Sequence, residues 1–184
     1  MTTMNRVRGL LLAGSLLVGV LVLGTVGTAW AGYITCTVGV SCYGTSGPDE
    51  LQGTRKKDYL YGKAGNDTLK GGRGNDVLFG DAAIDTGADG NDQLYGGPGD
   101  DTFNGGGGSD LIVGGDGDDH IGANADQTFS NPGEDTIKAG KGNDLIEAVD
   151  GYKDTIDCGP GIDEVYFDQN LDQVAANCEK QHPL

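Results

Sequence analysis

Basic and aromatic residues are the scarce components of this 184-residue sequence. Lys and Arg together number 12 against 28 Asp and Glu, which gives a formal charge of −16. A chain of that sign has no electrostatic footprint for a phosphate backbone, so nucleic acid is excluded as a partner. Aromatics are 7% of the residues, with a single Trp, too few for a thick globular core. Pro is limited to five positions, so the 35 Gly belong neither to a collagen-like repeat nor to a Pro-rich linker. Only two His occur, no Cys-x-x-Cys is present, and no cysteine pair is spaced with His120 or His182 as zinc ligands would be. Neither His-Glu-x-x-His nor Gly-x-Ser-x-Gly appears, and His120 reads as a surface residue. Carboxylate pairs of the kind used in glycoside hydrolysis are so abundant that they indicate nothing. No enzymatic activity is expected.

The N-terminus has the pattern of an export signal. Arg6 and Arg8 precede an apolar run from Leu10 to Ala29, and Ala29-Trp30-Ala31 supplies small residues for cleavage before Gly32. An uncleaved anchor is the alternative, since the run is about twenty residues, long enough to span a bilayer. Either way the remainder is expected outside the cytoplasm, with the membrane met only through this segment. Removing residues 1–31 takes away two Arg and no acid, so the charge moves from −16 to −18. Four cysteines remain, Cys36, Cys42, Cys158 and Cys178. An even count in an exported chain suggests disulfides. Of the three connectivities, the pairing of near neighbours, Cys36–Cys42 and Cys158–Cys178, is favoured by their positions toward the two ends.

The body of the chain repeats. Units of nine begin at Gly44, Gly53, Gly62, Gly71, Gly80, Gly96, Gly105, Gly114, Ala123, Ala139, Ala148 and Cys158. The fifth and ninth units carry seven extra residues each, Ala83–Asp89 and Asp126–Pro132, and the eleventh carries one. With those allowed for, position 6 is Asp in every unit: Asp49, Asp58, Asp67, Asp76, Asp92, Asp101, Asp110, Asp119, Asp135, Asp144, Asp154 and Asp163. Position 8 is apolar in every unit: Leu51, Leu60, Leu69, Leu78, Leu94, Phe103, Ile112, Ile121, Ile137, Ile146, Ile156 and Val165. Such regularity excludes the disorder that an acidic, Gly-rich composition would otherwise suggest.

The unit has its own chemistry. Gly at positions 1, 2 and 4 lets the backbone enter positive φ and turn its carbonyls toward one point. Asp at position 6 adds charge at the end of the turn. Position 8, flanked by outward neighbours, has the period of a strand and builds a thin apolar column. A hard cation such as Ca²⁺ takes six to eight oxygens from carboxylates and carbonyls, more than one turn offers, so sites are expected to be shared between turns.

The pattern resembles the RTX (hemolysin-type) nonapeptide repeat, Gly-Gly-x-Gly-x-Asp-x-apolar-x, over Gly44 to about Tyr166. The resemblance implies an all-β fold, a right-handed parallel β-roll (β-solenoid) in which two units make one coil and unit n shares ions with unit n+2. It implies Ca²⁺ as cofactor, roughly seven to nine ions. Implied ligands are the side chains of Asp49, Asn66, Asp67, Asn75, Asp76, Asn91, Asp92, Asp100, Asp101, Asp110, Asp118, Asp119, Asp135, Asn143, Asp144 and Asp163. With them come the carbonyls of Gly62, Gly71, Gly72, Gly74, Gly96, Gly97, Gly99, Gly105, Gly106, Gly108, Gly114, Gly115, Gly117, Gly140 and Gly142. Asn or Asp at position 5 is open to a second role, a hydrogen bond within the turn.

Departures from the pattern carry expectations too. The unit at Gly53 places Arg55, Lys56 and Lys57 in its turn, where cations are expected to replace a metal ion. The unit at Ala148 has Val149 at position 2 and a residue added before Asp154, which weakens its site. All interrupted units are odd-numbered, so both long inserts should leave from one edge. The expected organisation is a signal segment (1–31), an N-terminal cap (32–43), the roll (44–166) and a C-terminal cap (167–184), both caps stapled by disulfides. The expected function is that of a secreted, calcium-binding β-roll with a structural or interaction role, toward a cell-surface or extracellular protein or polysaccharide. A Ca²⁺-dependent adhesion or ice-binding surface is the second class, and a small hydrolase the third. For ice binding, the outward column Glu50, Thr68, Gln93, Leu111, Thr136, Thr155 is too irregular.

Overall fold

The computed structural model describes residues 32–37, 41–81, 89–122 and 133–184. The segment read as an export signal lies outside the described residues, as do the second insert and all of the first but Asp89. Sixteen strands are present among the described residues: β1 (Gly32–Thr35), β2 (Cys42–Tyr43), β3 (Asp49–Gln52), β4 (Tyr59–Lys63), β5 (Thr68–Lys70), β6 (Val77–Asp81), β7 (Gln93–Pro98), β8 (Thr102–Asn104), β9 (Leu111–Asp116), β10 (His120–Ile121), β11 (Thr136–Lys141), β12 (Leu145–Ala148), β13 (Thr155–Asp157), β14 (Glu164–Phe167), β15 (Gln173–Val174) and β16 (Lys180–Pro183). Odd strands form one eight-stranded sheet in order β1 to β15, and even strands form the other in order β2 to β16. Every pairing is parallel and joins strands two apart in the chain, as in β7 with β9 or β6 with β8. The chain therefore winds from sheet to sheet as an all-β roll, one unit per strand.

The nine-residue period explains the winding. Pairing aligns Leu51 with Leu69, Leu69 with Leu94, and Leu94 with Ile112, so position 8 stacks on position 8. All twelve position-8 side chains are buried, none more than 2% exposed, and each contributes roughly 1.5–3 kcal/mol by burial. Their neighbours at positions 7 and 9 point outward, which leaves one apolar column per sheet and little else in the core. On the outer face of the even sheet, Tyr43, Tyr61 and Phe79 stack in register with ring centroids 4.9 and 5.2 Å apart.

The ends continue the roll instead of merely covering it. β1 and β2 add a coil before the first repeat, joined by the Cys36–Cys42 disulfide. β15 and β16 add one after the last repeat, and Cys158–Cys178 ties that coil to the twelfth unit. Both bridges are the near-neighbour pairs expected from the sequence. The long inserts precede β7 and β11, two strands of the same sheet, so the chain enters both from the same edge of the roll.

Candidate metal centre

Turns between the sheets form two edges. Units 1, 3, 5, 7, 9 and 11 turn at one, and units 2, 4, 6, 8, 10 and 12 at the other, following the strand order. In a regular turn such as Gly96 to Asp101, Gly97 and Gly99 take φ of 113° and 143°, conformations that a side chain resists. Position 1 differs from the expectation. Gly62, Gly71, Gly96 and Gly114 do not have positive φ. They are Gly for space: a Cβ at any of them would collide with Oδ2 of its own unit's position-6 Asp. At Gly62, Gly96 and Gly114 it would also meet the carbonyl oxygen of the next coil's first residue, Gly80, Gly114 or Ala139. A carboxylate oxygen from one coil and a carbonyl oxygen from the next thus converge where glycine leaves room.

The twelve position-6 Asp are all buried, none above 5% exposed. One oxygen of each is used by the fold. The backbone N–H of Asp49 donates to Oδ1 of Asp67 (2.7 Å), Asp67 to Asp92 (2.7 Å), Asp92 to Asp110 (2.8 Å), Asp110 to Asp135 (2.8 Å) and Asp135 to Asp154 (2.9 Å). On the other edge the same ladder runs from Asp58 through Asp76, Asp101, Asp119 and Asp144 to Asp163. Sequence reading missed its last rungs. Asp154 donates to Asp172 (2.9 Å) and Asp163 to Glu179 (3.0 Å), so two acids beyond the repeats continue the columns. The spacing of 18 from Asp154 to Asp172, matched by Ile156 to Val174, was the available signal.

The other oxygen is the unusual one. Oδ2 of Asp67, Asp76, Asp92, Asp101, Asp110, Asp119, Asp144 and Asp163 is buried with no hydrogen-bond partner. An ionised oxygen so placed is costly without a counter-charge. The carboxyls respond accordingly. Burial, opposed by the backbone hydrogen bond and reinforced by neighbouring carboxylates, pushes Asp67, Asp76, Asp110 and Asp154 up to about 7. Asp92, Asp119 and Asp135 rise to about 8, and Asp101 and Asp144 to about 6, burial again being the main cause. One group of three converges without help from carbonyls: Asp135, Asp150 and Asp154 present oxygens all within 4.8 Å of one another. Asp150 is the third residue of the interrupted eleventh unit, so that departure adds a carboxylate to the turn.

Two units satisfy Oδ2 internally. Asp58 accepts from the N–H (2.6 Å) and hydroxyl (2.8 Å) of Thr54, and Asp49 accepts from the N–H (2.6 Å) and hydroxyl (2.7 Å) of Thr45. Thr54, at position 2, holds the carboxylate for which Arg55, Lys56 and Lys57 had been expected, and Lys57 lies over the Tyr59 ring instead. Asp49 is saturated further by the Gly32 N–H on Oδ1 (2.8 Å).

Position 5 makes an outer ladder. The side-chain oxygens of Asn66, Asn91, Asn75, Asp100, Asp118 and Asn143 each accept a backbone N–H from the turn one coil on, at 2.7–3.2 Å. These bonds are solvent-exposed and link the turns of successive coils. Among the carbonyls, those of Gly96 and Gly105 already accept from Gly72 (2.9 Å) and Asp81 (3.1 Å), leaving one lone pair each.

A sequence profile for the RTX calcium-binding nonapeptide repeat matches four times, over residues 43–78, 52–87, 86–121 and 122–152. No curated protein and no solved structure matches the chain.

Proposed function

The chain belongs to the RTX calcium-binding nonapeptide-repeat family, whose repeats are calcium-binding structural units and not catalytic ones, and from that premise we propose that it is an exported β-roll whose folding is driven by Ca²⁺ held along its two edges. The observation that carries this reading is the pair of columns of buried Asp Oδ2 atoms without protein donors. The ligands proposed are Oδ2 of Asp67, Asp76, Asp92, Asp101, Asp110, Asp119, Asp144 and Asp163, completed by turn carbonyls, with Asp135 joining Asp150 and Asp154 at the eleventh unit. Units 1 and 2 are the weakest positions in this reading, because Thr45 and Gly32 occupy both oxygens of Asp49 and Thr54 occupies Oδ2 of Asp58, leaving only its buried Oδ1 without a donor at the end of the column. Seven to nine ions, the number expected from the repeat count, would bring up to about 18 positive charges to a chain near −18.

Export, with 1–31 as signal, 32–43 and 167–184 as end coils and 44–166 as the roll, accords with two disulfides, which persist in oxidising compartments. An extracellular structural or interaction role follows. Native mass spectrometry of the chain in Ca²⁺ tests the reading. A defined series reaching seven to nine ions is expected; a chain that stays metal-free in millimolar Ca²⁺ would overturn it.

A further inference from the structure

The outer face of the first coils brings aromatic rings and cations together. Tyr59, Tyr61 and Lys63 alternate outward along β4, with Leu60 and Gly62 buried between them. Tyr61 is the centre of the ring stack, between Tyr43 of β2 and Phe79 of β6. Rings stacked in this way cover one another's faces and leave their edges, the positive rim of the aromatic quadrupole, to solvent. The hydroxyls of Tyr43, Tyr59 and Tyr61 carry no hydrogen bond among the described residues, whereas those of Tyr95 and Tyr166 donate to Gln93 and Glu164. Two ammonium groups flank the rings. Lys57 Nζ stands 5.2 Å from the Tyr59 ring centre, and Lys63 Nζ 5.5 Å from that of Tyr43. Lys63 is the one non-glycine residue at positive φ (87°) among the described residues. It holds position 2 of the third unit, where regular turns have Gly72 or Gly97. A side chain resists that conformation, so the backbone is strained where a cation is held over a ring.

Charge sets this face apart from the rest of the roll. Residues 32–81 hold six Lys and Arg and six Asp and Glu. Five of those acids, Asp49, Asp58, Asp67, Asp76 and Asp81, are buried, and Glu50 is paired with Lys70 (2.6 Å). Arg55, Lys56, Lys57, Lys63 and Arg73 make no ion pair among the described residues. Over residues 82–184, by contrast, 22 acids stand against four bases. The far end of the roll is closed to a further coil of a second copy. The N–H of Gly44 donates to the coil ahead (2.7 Å), but the matching Pro183 has none, and Gln181 replaces the apolar residue of the inner column. We propose that the Tyr43–Tyr61–Phe79 face is a docking surface for an anionic polysaccharide. Lys57, Lys63 and the cations of the adjoining turns meet its sulfate or carboxylate groups, and the phenols of Tyr43, Tyr59 and Tyr61 its hydroxyls. An open sheet suits an extended polymer more than a small molecule, which is held in a cleft. The proposal goes beyond the calcium reading and rests on it for the folded roll: Ca²⁺ both folds the sheet and offsets the acidic charge that repels a polyanion.

The test measures binding of fluorescently labelled dextran sulfate to the full chain in saturating Ca²⁺, with uncharged dextran as the counterpart. Circular dichroism checks first that each protein is folded. The chain should bind the sulfated polymer and not the neutral one, more weakly as salt is raised. Lys57→Glu combined with Lys63→Glu should weaken binding about tenfold or more, and Lys138→Glu combined with Lys153→Glu, an equal charge change elsewhere on the roll, by about twofold at most. Lys63→Gly separates docking from folding: it should melt no lower than the unaltered chain, because the strain is relieved, yet bind more weakly. A folded chain that ignores dextran sulfate, or takes up dextran equally, overturns the proposal, as does equal weakening by the two double variants. Sedimentation velocity without polysaccharide covers the other occupant: self-association abolished by the Lys57 and Lys63 changes would assign the face to a second copy and overturn the proposal. A chain that stays unfolded in Ca²⁺ refutes the calcium reading before any polysaccharide is added, and this surface falls with it.

Discussion

Acid should fold the metal-free chain. Nine position-6 carboxyls stand at about 6 to 8 in the roll against 3.8 for an ordinary Asp, chiefly because they are buried. A folded-state value above the unfolded one means that the fold prefers the protonated group. Its contribution is complete below about pH 4 and is lost as the pH rises through 6 to 8. One unit is worth about 1.4 kcal/mol, so Asp119, raised to about 8, opposes the ionised metal-free fold by roughly 6 kcal/mol. Water reaching the turns cuts such a figure by about half. Even then, a few of these groups together exceed the ~5–15 kcal/mol by which a domain is stable. Protein stripped of Ca²⁺ and followed by far-ultraviolet circular dichroism should therefore gain β signal as the pH falls from 8 to 5. With Ca²⁺ present the dependence reverses in sense: ligands must be ionised, so the Ca²⁺ midpoint should rise as the pH falls. A metal-free β signal that is flat over this range, or that declines on acidification, would refute the reasoning.

Other perturbations separate the roles of individual residues. Asp119→Ala removes a buried oxygen without a donor and should raise the Ca²⁺ midpoint about tenfold. Asp58→Ala removes the two bonds from Thr54 to Oδ2 along with the buried Oδ1 that ends its column, and should lower thermal stability by about 1–3 kcal/mol with a smaller shift of the Ca²⁺ midpoint than Asp119→Ala; equal midpoint shifts would count against the distinction. Gly97→Ala places a Cβ at φ 113° against the Gly72 carbonyl, and a loss of about 2–4 kcal/mol is expected in Ca²⁺-saturated thermal melts. Reduction of Cys158–Cys178 should destabilise the last coil by about 2–4 kcal/mol, read as faster amide exchange in β15 and β16 than in the central strands.

Much of the roll is written in the period. Twelve Asp and twelve apolar residues at fixed offsets fix which residues stack, because parallel pairing at an 18-residue interval lets only like positions meet, and inserts of seven or one lengthen the interval without shifting it. The two disulfides follow from the clustering of cysteines at the ends. What a one-dimensional pattern does not display is the use of each oxygen. That Oδ1 of Asp67 belongs to the Asp49 amide while Oδ2 is left over depends on side-chain direction within the turn. Thr45 and Thr54 look like missing glycines in sequence, yet their hydroxyls occupy the carboxylates. Asp172 and Glu179 extend the columns through turns without the glycine pattern, Glu179 by a longer side chain at a spacing of 16 instead of 18. Asp81 reads as an interruption and lies buried at the edge.

The most direct test of the account is a reversible Ca²⁺ titration of the chain at pH 7.5, followed by far-ultraviolet circular dichroism and then by excess chelator. The thin apolar columns and the uncompensated carboxylates predict a largely disordered chain in chelator. A cooperative rise to a β-rich state by millimolar Ca²⁺ and a return on chelation should follow, with Mg²⁺ unable to replace Ca²⁺ because it prefers a small octahedron and keeps its water. Full β signal persisting in excess chelator at this pH, or appearing equally with Mg²⁺, would contradict it.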